Sequence, residues 1–341
     1  MSPYEQHLAT RRDAGLFDFS FMGLYELSGT GALAALEVLQ TRALSALQPG
    51  RLAYTLLLED QGSVFNDATV WRLAPERWWL FTGRPSDFAW IAARVGGPDI
   101  GSRRRGVQQS VGAQVDSPIG GAASRECPEV ELNDRSGEHA VLALQGPASG
   151  AILARLIGRE SVMALEYFHF IEQASMVVAR LGYSGELGYE LLVPAAEAPR
   201  LRERLLEAGS ADGLVEASFE AANSLRIEAG YVLFDREIDG RANPRELGLE
   251  RFVSDPRRRF PLSRKLVGLE ITARPARADL PLVQVTSECF SPTLGRRIGL
   301  GFAPPLTMPG DAVRLTDGRS ARVAPLPFYD PTRQLPRAAP L

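Results

Sequence analysis

Cysteine, histidine and lysine are all scarce in this chain. Two cysteines and three histidines occur among 341 residues. Cys127 and Cys289 lie far apart, which excludes a disulfide framework and a CxxC metal knuckle. His7, His139 and His169 show no HxxxH or HExxH spacing, so no metal site is expected. Lys265 is the only lysine, which excludes a Schiff-base lysine at any other position. No apolar run approaches the ~20 residues of a membrane span. The N-terminal stretch Met1 to Gly15 has no apolar core of a secretory signal, so a cytoplasmic protein without membrane contact is expected. A net charge of −3 offers no basic field for nucleic acid. No repeat of about 20–50 residues points to a solenoid. No GxGxxG, GxxxxGK or GxSxG motif is present. Gly182-Tyr-Ser-Gly185 is one residue short of a nucleophile elbow around Ser184.

What remains is an ordinary globular composition, 45% hydrophobic and 23% charged. At roughly 100–200 residues per domain, the length suits two or three domains. Apolar spacing predicts a helix from Gly31 to Leu47, stopped by Pro49-Gly50. Strands are predicted at Met22 to Leu27, Ala53 to Leu58, Val64 to Leu73 and Arg77 to Phe81, with a hairpin loop at Glu59 to Gly62. A helix over Pro85 to Val95 follows, with proline near its start. Residues 101–126, rich in Gly, Ser and Arg, read as a surface insertion. Further strands are predicted at Ala140 to Leu144, Ala174 to Leu181 and Tyr189 to Val193, and helices after Pro147, at Ala198 to Ala208 and at Val215 to Glu228. From about Arg264 to Pro331 short strands alternate with Gly/Pro turns. Without strict βαβα alternation, the pattern indicates an α+β protein ending in a β module.

Three charged residues sit in unusual surroundings. Asp67 interrupts the apolar, β-branched stretch Val64 to Val70, where desolvation and propensity both disfavour it. Glu190 follows the glycine-rich turn Gly182 to Gly188 and heads the strand Tyr189 to Val193. Arg226 lies on an otherwise apolar helix face, a common setting for the partner of a buried carboxylate. On residue type alone, each carboxylate could equally be a solvated strand residue.

In these same stretches the chain resembles the aminomethyltransferase family, the T-protein of the glycine cleavage system, and the folate-dependent demethylases related to it. Leu16 to Met22 (LFDFSFM) resembles the family's LFDVSHM. Gly62 to Val70 resembles its GG-(I/V)-x-(D/N)-D strand, and Leu142 to Pro147 matches LALQGP. Gly182 to Glu190 (GYSGELGYE) is similar to GYTGEDGFE, and Leu225 to Gly230 (LRIEAG) to LRLEAG. Asn243 to Leu249, Gly299-Leu-Gly301 and Pro327 to Pro331 are similar to later segments. Their order along most of the chain carries the resemblance.

The resemblance implies an α+β fold of three domains in a cloverleaf around a central tetrahydrofolate site. Domain 1 would comprise 1–50 and 140–245 and grip the folate. Domain 2, an antiparallel sheet with helices over 51–139, would carry Asp67. A β-barrel or jelly-roll domain would occupy 246–341. By resemblance Asp67 is the catalytic aspartate, and Glu190, Tyr183, Arg226, Tyr54 and Met22 bind the cofactor. The implied activity is transfer of a methyl or methylene group from a small donor to tetrahydrofolate. A lipoyl carrier protein is a further partner to consider. Three positions depart from the family. Phe21 replaces its histidine, Asn66 the first aspartate of its pair, and Arg251-Phe252 fall where a tryptophan often stands. Asn66-Asp67 and Pro244 to Leu249 also fit a folate-dependent O-, S- or N-demethylase. A non-catalytic folate-binding accessory protein is the remaining alternative, but Phe260 to Val267 lacks the cysteine of that branch.

Overall fold

A computed structural model describes residues 1–96 and 129–341. The insertion expected over 101–126 and Cys127 lie outside the described residues. The first part contains α1 (Pro3–Arg12), β1 (Ala14–Asp18), β2 (Gly23–Ser28), α2 (Ala32–Leu39), β3 (Arg51–Leu58), β4 (Val64–Ala74), β5 (Arg77–Thr82) and α3 (Phe88–Val95). Then come β6 (Glu131–Asp134), β7 (His139–Gln145), α4 (Ser149–Ile157), α5 (Arg159–Ala164), β8 (Phe170–Gln173), β9 (Met176–Ala179) and β10 (Gly188–Pro194). α6 (Ala198–Gly209), β11 (Leu214–Glu216) and α7 (Phe219–Glu228) complete this part. The last part holds β12 (Lys265–Pro275), β13 (Leu282–Ser291), β14 (Arg296–Ala303), β15 (Ala312–Leu315) and β16 (Arg319–Ala324).

The strands form two sheets and a barrel. The first sheet has the order β11-β1-β7-β10-β9-β8, the second β3-β4-β5-β2-β6, and β12-β14-β13-β15-β16 close on themselves. Pairing is antiparallel except for β1 with β11 and β13 with β15. Strand alternation gives each sheet two different faces. On the first sheet, Leu142, Leu144, Tyr189, Leu191 and Val193 pack under α4, α5 and α6. Its other face presents Phe17, Val141, Ala143, Ala179 and Leu192 to Leu52, Trp71, Trp79 and Phe81 of the second sheet. The far face of the second sheet, with Tyr25, Leu57, Val70 and Trp78, packs on α2 and α3. α7 touches the barrel through Ile227, which meets Ile298 and Leu300. The candidate site therefore has walls from independently cored units.

Two predicted helices begin or end elsewhere. The helix expected over Gly31 to Leu47 stops at Leu39, because Gln40 turns extended and bridges to Leu57. The Gln40 amide is tied down there: its oxygen accepts from Thr55 Oγ1 (2.6 Å) and Arg42 N (2.6 Å). The helix expected from Val215 starts at Phe219 instead, behind an N-cap at Ser218, while Leu214–Glu216 pair with β1. Residues 23–39 also differ from the expected grouping with domain 1. β2 pairs with β5 and β6, and Tyr25, Leu27 and Leu36 share the second sheet's core.

Candidate functional site

Asp67 is positioned by register. Tyr54 pairs with Thr69 and Leu56 with Asp67, so Tyr54 and Asp67 are diagonal neighbours on one face of the β3–β4 ladder. Along β4, Asn66, Ala68 and Val70 are buried while Asp67 and Thr69 keep some accessible surface. Tyr54 Oη donates to Asp67 Oδ2 at 2.9 Å. Burial pushes the Asp67 carboxyl up to about 6; Tyr54 pulls it down and the Asp87 charge adds to the rise. Burial, then the Asp67 charge, raises Tyr54 well above the usual phenol range.

Asn66 explains its own presence. Its side chain is buried, and Nδ2 donates to Asp87 Oδ2 at 2.6 Å. Asp87 is also buried and accepts from Arg84 Nε at 3.0 Å. An aspartate at 66 would set a second carboxylate against Asp87 and lose the amide donor. The departure from the paired aspartates thus answers to a local partner.

Tyr183 closes a second wall. Its hydroxyl donates to the Val232 carbonyl at 2.6 Å, and its ring stacks on Tyr231 with centroids 6.0 Å apart. Burial raises the Tyr183 phenol far above its ordinary value, and the charge of Asp67 adds to the effect. Phe252 meets the Tyr54 ring edge-on at 4.7 Å. Phe168, a non-glycine residue at φ 63°, packs against the same inter-sheet core as Tyr183 and Met22.

Glu190 enters from the other sheet. It pairs with Ala143 on β7 and Ala179 on β10's other neighbour, β9, so its flanks are methyl groups. Its alternation places it with Leu192 on the face toward the second sheet. It is 8% exposed, and no described residue hydrogen-bonds to its carboxylate. Burial alone pushes its carboxyl up to about 7. A carboxylate on so buried a residue, without a protein partner and with its oxygens still accessible, is unusual and suits a ligand.

Arg226 is engaged elsewhere. It is 1% exposed, and Nη1 donates to Glu237 Oε2 at 2.7 Å and to the Tyr231 carbonyl at 3.0 Å. Nε donates to Asn223 and Nη2 to Ser287 Oγ at 2.7 Å. The structure thus brings Tyr54, Asp67 and Tyr183 together, with Met22 and Glu190 on the adjoining inter-sheet layer. Arg226 sits behind Tyr231, tying α7 to the barrel. Tyr231 and Phe168 were missed in the sequence, where Phe252 stood out only as a departure from the family. Tyr231 carries a signal: it directly follows the helix-ending Gly230 of LRIEAG.

Two grooves, of about 850 and 660 Å³, open elsewhere. The first runs between α2, the β3–β4 loop and residues 241–264, the second beside α4 and α6. Neither groove is lined by Asp67 or Glu190. No cluster of metal-ligating side chains occurs among the described residues. No helix among them is long and apolar enough to cross a membrane.

Comparison with known proteins identifies the family and the fold. Residues 3–255 match the GCVT N-terminal domain family, and residues 264–330 the glycine cleavage T-protein C-terminal barrel domain. An aminomethyltransferase of Desulfitobacterium hafniense is 32% identical over 362 residues, covering 95% of this chain and 89% of the relative. One from Rubrobacter xylanophilus is 34% identical over 358 residues, covering 97% and 87%. The crystal structure of glycine cleavage system aminomethyltransferase T from Bartonella henselae superposes with a TM-score of 0.75 at 25% identity, covering 96% of this chain and 90% of that one.

Proposed function

Because the chain belongs to the glycine cleavage T-protein family and is a tetrahydrofolate-dependent transferase of the aminomethyltransferase kind, we propose that Asp67 is its catalytic carboxylate and Glu190 its folate anchor. The observation that carries this reading is the Glu190 carboxylate, buried between Ala143 and Ala179 with no described partner. A flat heterocycle edge with an amide N–H beside an amino group fits such a carboxylate. Both donors reach its two oxygens, and charge assistance strengthens each bond. That contact offsets the desolvation that otherwise holds the carboxyl near neutrality.

Tetrahydrofolate, when bound, supplies the nitrogen that accepts the one-carbon unit. Asp67 places negative charge where a cationic amine or iminium centre develops. Tyr54 holds one Asp67 oxygen and favours the ionised form, leaving the other oxygen for the reacting groups. Tyr183 and Tyr231 offer ring faces for an aromatic ligand. Met22 lines the adjoining layer. Arg226 contributes from behind, holding the Tyr231 carbonyl and the segment through Glu237. The donor is a small aminomethyl or methyl compound, or the aminomethyl arm of a lipoyl carrier protein, met in the cytoplasm. The domain partition that goes with this reading is the first sheet with its helices, the second sheet with α2 and α3, and the barrel.

Tetrahydrofolate at a hundredfold excess over its dissociation constant should stabilise the protein by about 2.7 kcal/mol, read as a rise in melting temperature. No shift at millimolar tetrahydrofolate contradicts the reading.

A further inference from the structure

Ser184, where the sequence falls one residue short of a nucleophile elbow, has no part in the roles above. In the fold it is 3% exposed. Its hydroxyl donates to Gln145 Oε1 at 2.8 Å and accepts from Glu186 N at 3.2 Å. No histidine or carboxylate among the described residues hydrogen-bonds to that hydroxyl, so nothing activates it as a nucleophile. Its partner Gln145 is the last residue of β7 and is 1% exposed. The pair is a buried amide–hydroxyl contact between the end of a strand and the middle of a turn.

Residues 181–188 wrap around that amide. Gln145 Nε2 donates to the Leu181 carbonyl at 3.4 Å where the turn begins, and Gln145 pairs with Gly188 where it ends. Gly182 and Gly188 lie flush against the side chain. A Cβ at Gly182 would stand 1.9 Å from Gln145 Oε1, and one at Gly188 would stand 2.3 Å from Nε2, so only glycine allows the approach. The outer side of the turn is held as well. Gly146 N and Ser149 Oγ donate to the Leu187 carbonyl at 2.8 and 3.3 Å. Arg11 Nη1 donates to the Ser184 carbonyl at 3.0 Å and to Glu186 Oε1 at 2.8 Å. Two side chains assigned to the folate hang on this turn. Tyr183 lies within it. Glu190 stands two residues past Gly188, on the same face of the sheet and diagonal to Gln145.

Resting on the site assignment proposed above, we infer that Gln145 and Ser184 are positioning residues, a buried latch that presets the turn carrying Tyr183 and Glu190 for the folate ring. Neither touches the ligand; both act through the backbone of the turn. An unlatched turn samples other orientations, and a ligand then binds only the competent fraction of the protein. The latch raises affinity by removing that ordering cost in advance. Its effect is bounded by the worth of the hydrogen bond, about fivefold in affinity for a neutral pair.

The test uses the full chain and the variants S184T, S184V and Q145M, with melting curves to verify folding. Threonine and valine are alike in size, and only threonine keeps the hydroxyl. Hydrogen exchange of peptides spanning 181–190 is followed without ligand, and tetrahydrofolate affinity is measured by calorimetric titration. The latch predicts that S184V and Q145M exchange faster over 181–188 and bind tetrahydrofolate more weakly, each by roughly three- to fivefold. S184T should match wild type in both. If S184V does not fold, Q145M against wild type gives the same comparison. Unchanged exchange in the folded variants overturns the latch. Equal losses in S184T and S184V trace the effect to crowding and also overturn it. Faster exchange with unchanged tetrahydrofolate affinity shows a turn that is held without being positioned, which overturns the inferred role. If wild type binds no tetrahydrofolate, the folate reading falls, and the exchange comparison alone decides the latch.

Discussion

Two buried glutamates in this molecule are treated in opposite ways. Glu237 is fully buried and accepts from Arg226 Nη1 (2.7 Å), Leu233 N (3.0 Å), Thr286 Oγ1 (2.6 Å) and Ser287 Oγ (2.6 Å). Glu190 is nearly as buried and has no described partner. Satisfied carboxylates of the first kind join elements, here α7, the segment after it and the barrel. Orphaned carboxylates of the second kind cost stability unless something outside the chain completes them. The difference marks Glu237 as a structural acid and is the ground on which Glu190 is proposed as the binding acid.

The largest test of the contrast is on the satisfied side. Arg226→Ala should destabilise the fold by about 3–5 kcal/mol, because it strands the Glu237 charge in the interior. Guanidinium unfolding at neutral pH measures this, and a loss below about 1 kcal/mol would show that water or neighbours replace Arg226.

The orphaned side should respond with the opposite sign. Burial pushes the Glu190 carboxyl up from its ordinary value of 4.5 to about 7 in the folded protein. A raised carboxyl binds its proton more tightly in the folded state, so stability is fullest below about 4.5 and declines as pH rises through 7. Glu190→Gln removes that decline. It should stabilise the unliganded protein by on the order of 3 kcal/mol at pH 8 and by little at pH 4. Equal melting temperatures of variant and wild type at pH 8 would mean that Glu190 is not an unpaired buried charge.

Asp67→Asn should leave the fold and folate binding intact and cut turnover at least ~100-fold, the usual cost of removing a preorganised electrostatic group. Full turnover would remove Asp67 from the mechanism. Tyr54→Phe is the mildest change. Loss of one hydrogen bond to the ionised carboxylate, worth about 1.5 kcal/mol, should raise the Asp67 carboxyl, and with it the acid limb of the rate profile, by about one pH unit. An unmoved acid limb would show that Tyr54 does not tune Asp67.

Much of this was legible in the sequence because period and composition encode it locally. The alternation of Val64 to Val70 marked β4 and made Asp67 conspicuous, and register then brought Tyr54 beside it. The bare environment of Arg226 indicated an ion pair with a buried carboxylate, and the structure supplies Glu237. What local pattern could not reveal was set by distant partners. α2 ends at Leu39 because Gln40 finds Thr55 and Leu57. β2 joins the second sheet because its partners, β5 and β6, come later in the chain. Tyr231 and Phe252 reach the site from short segments without a period of their own, fixed by Tyr183 and Tyr54.

The most direct test is calorimetric titration of tetrahydrofolate into wild type and Glu190→Gln at pH 8. The proposed anchor predicts an affinity at least about tenfold weaker in the variant, the loss expected for a charge-assisted pair of bonds, in a protein that melts higher on its own. Equal affinity in the two proteins would contradict the assignment of the buried carboxylate as the folate grip.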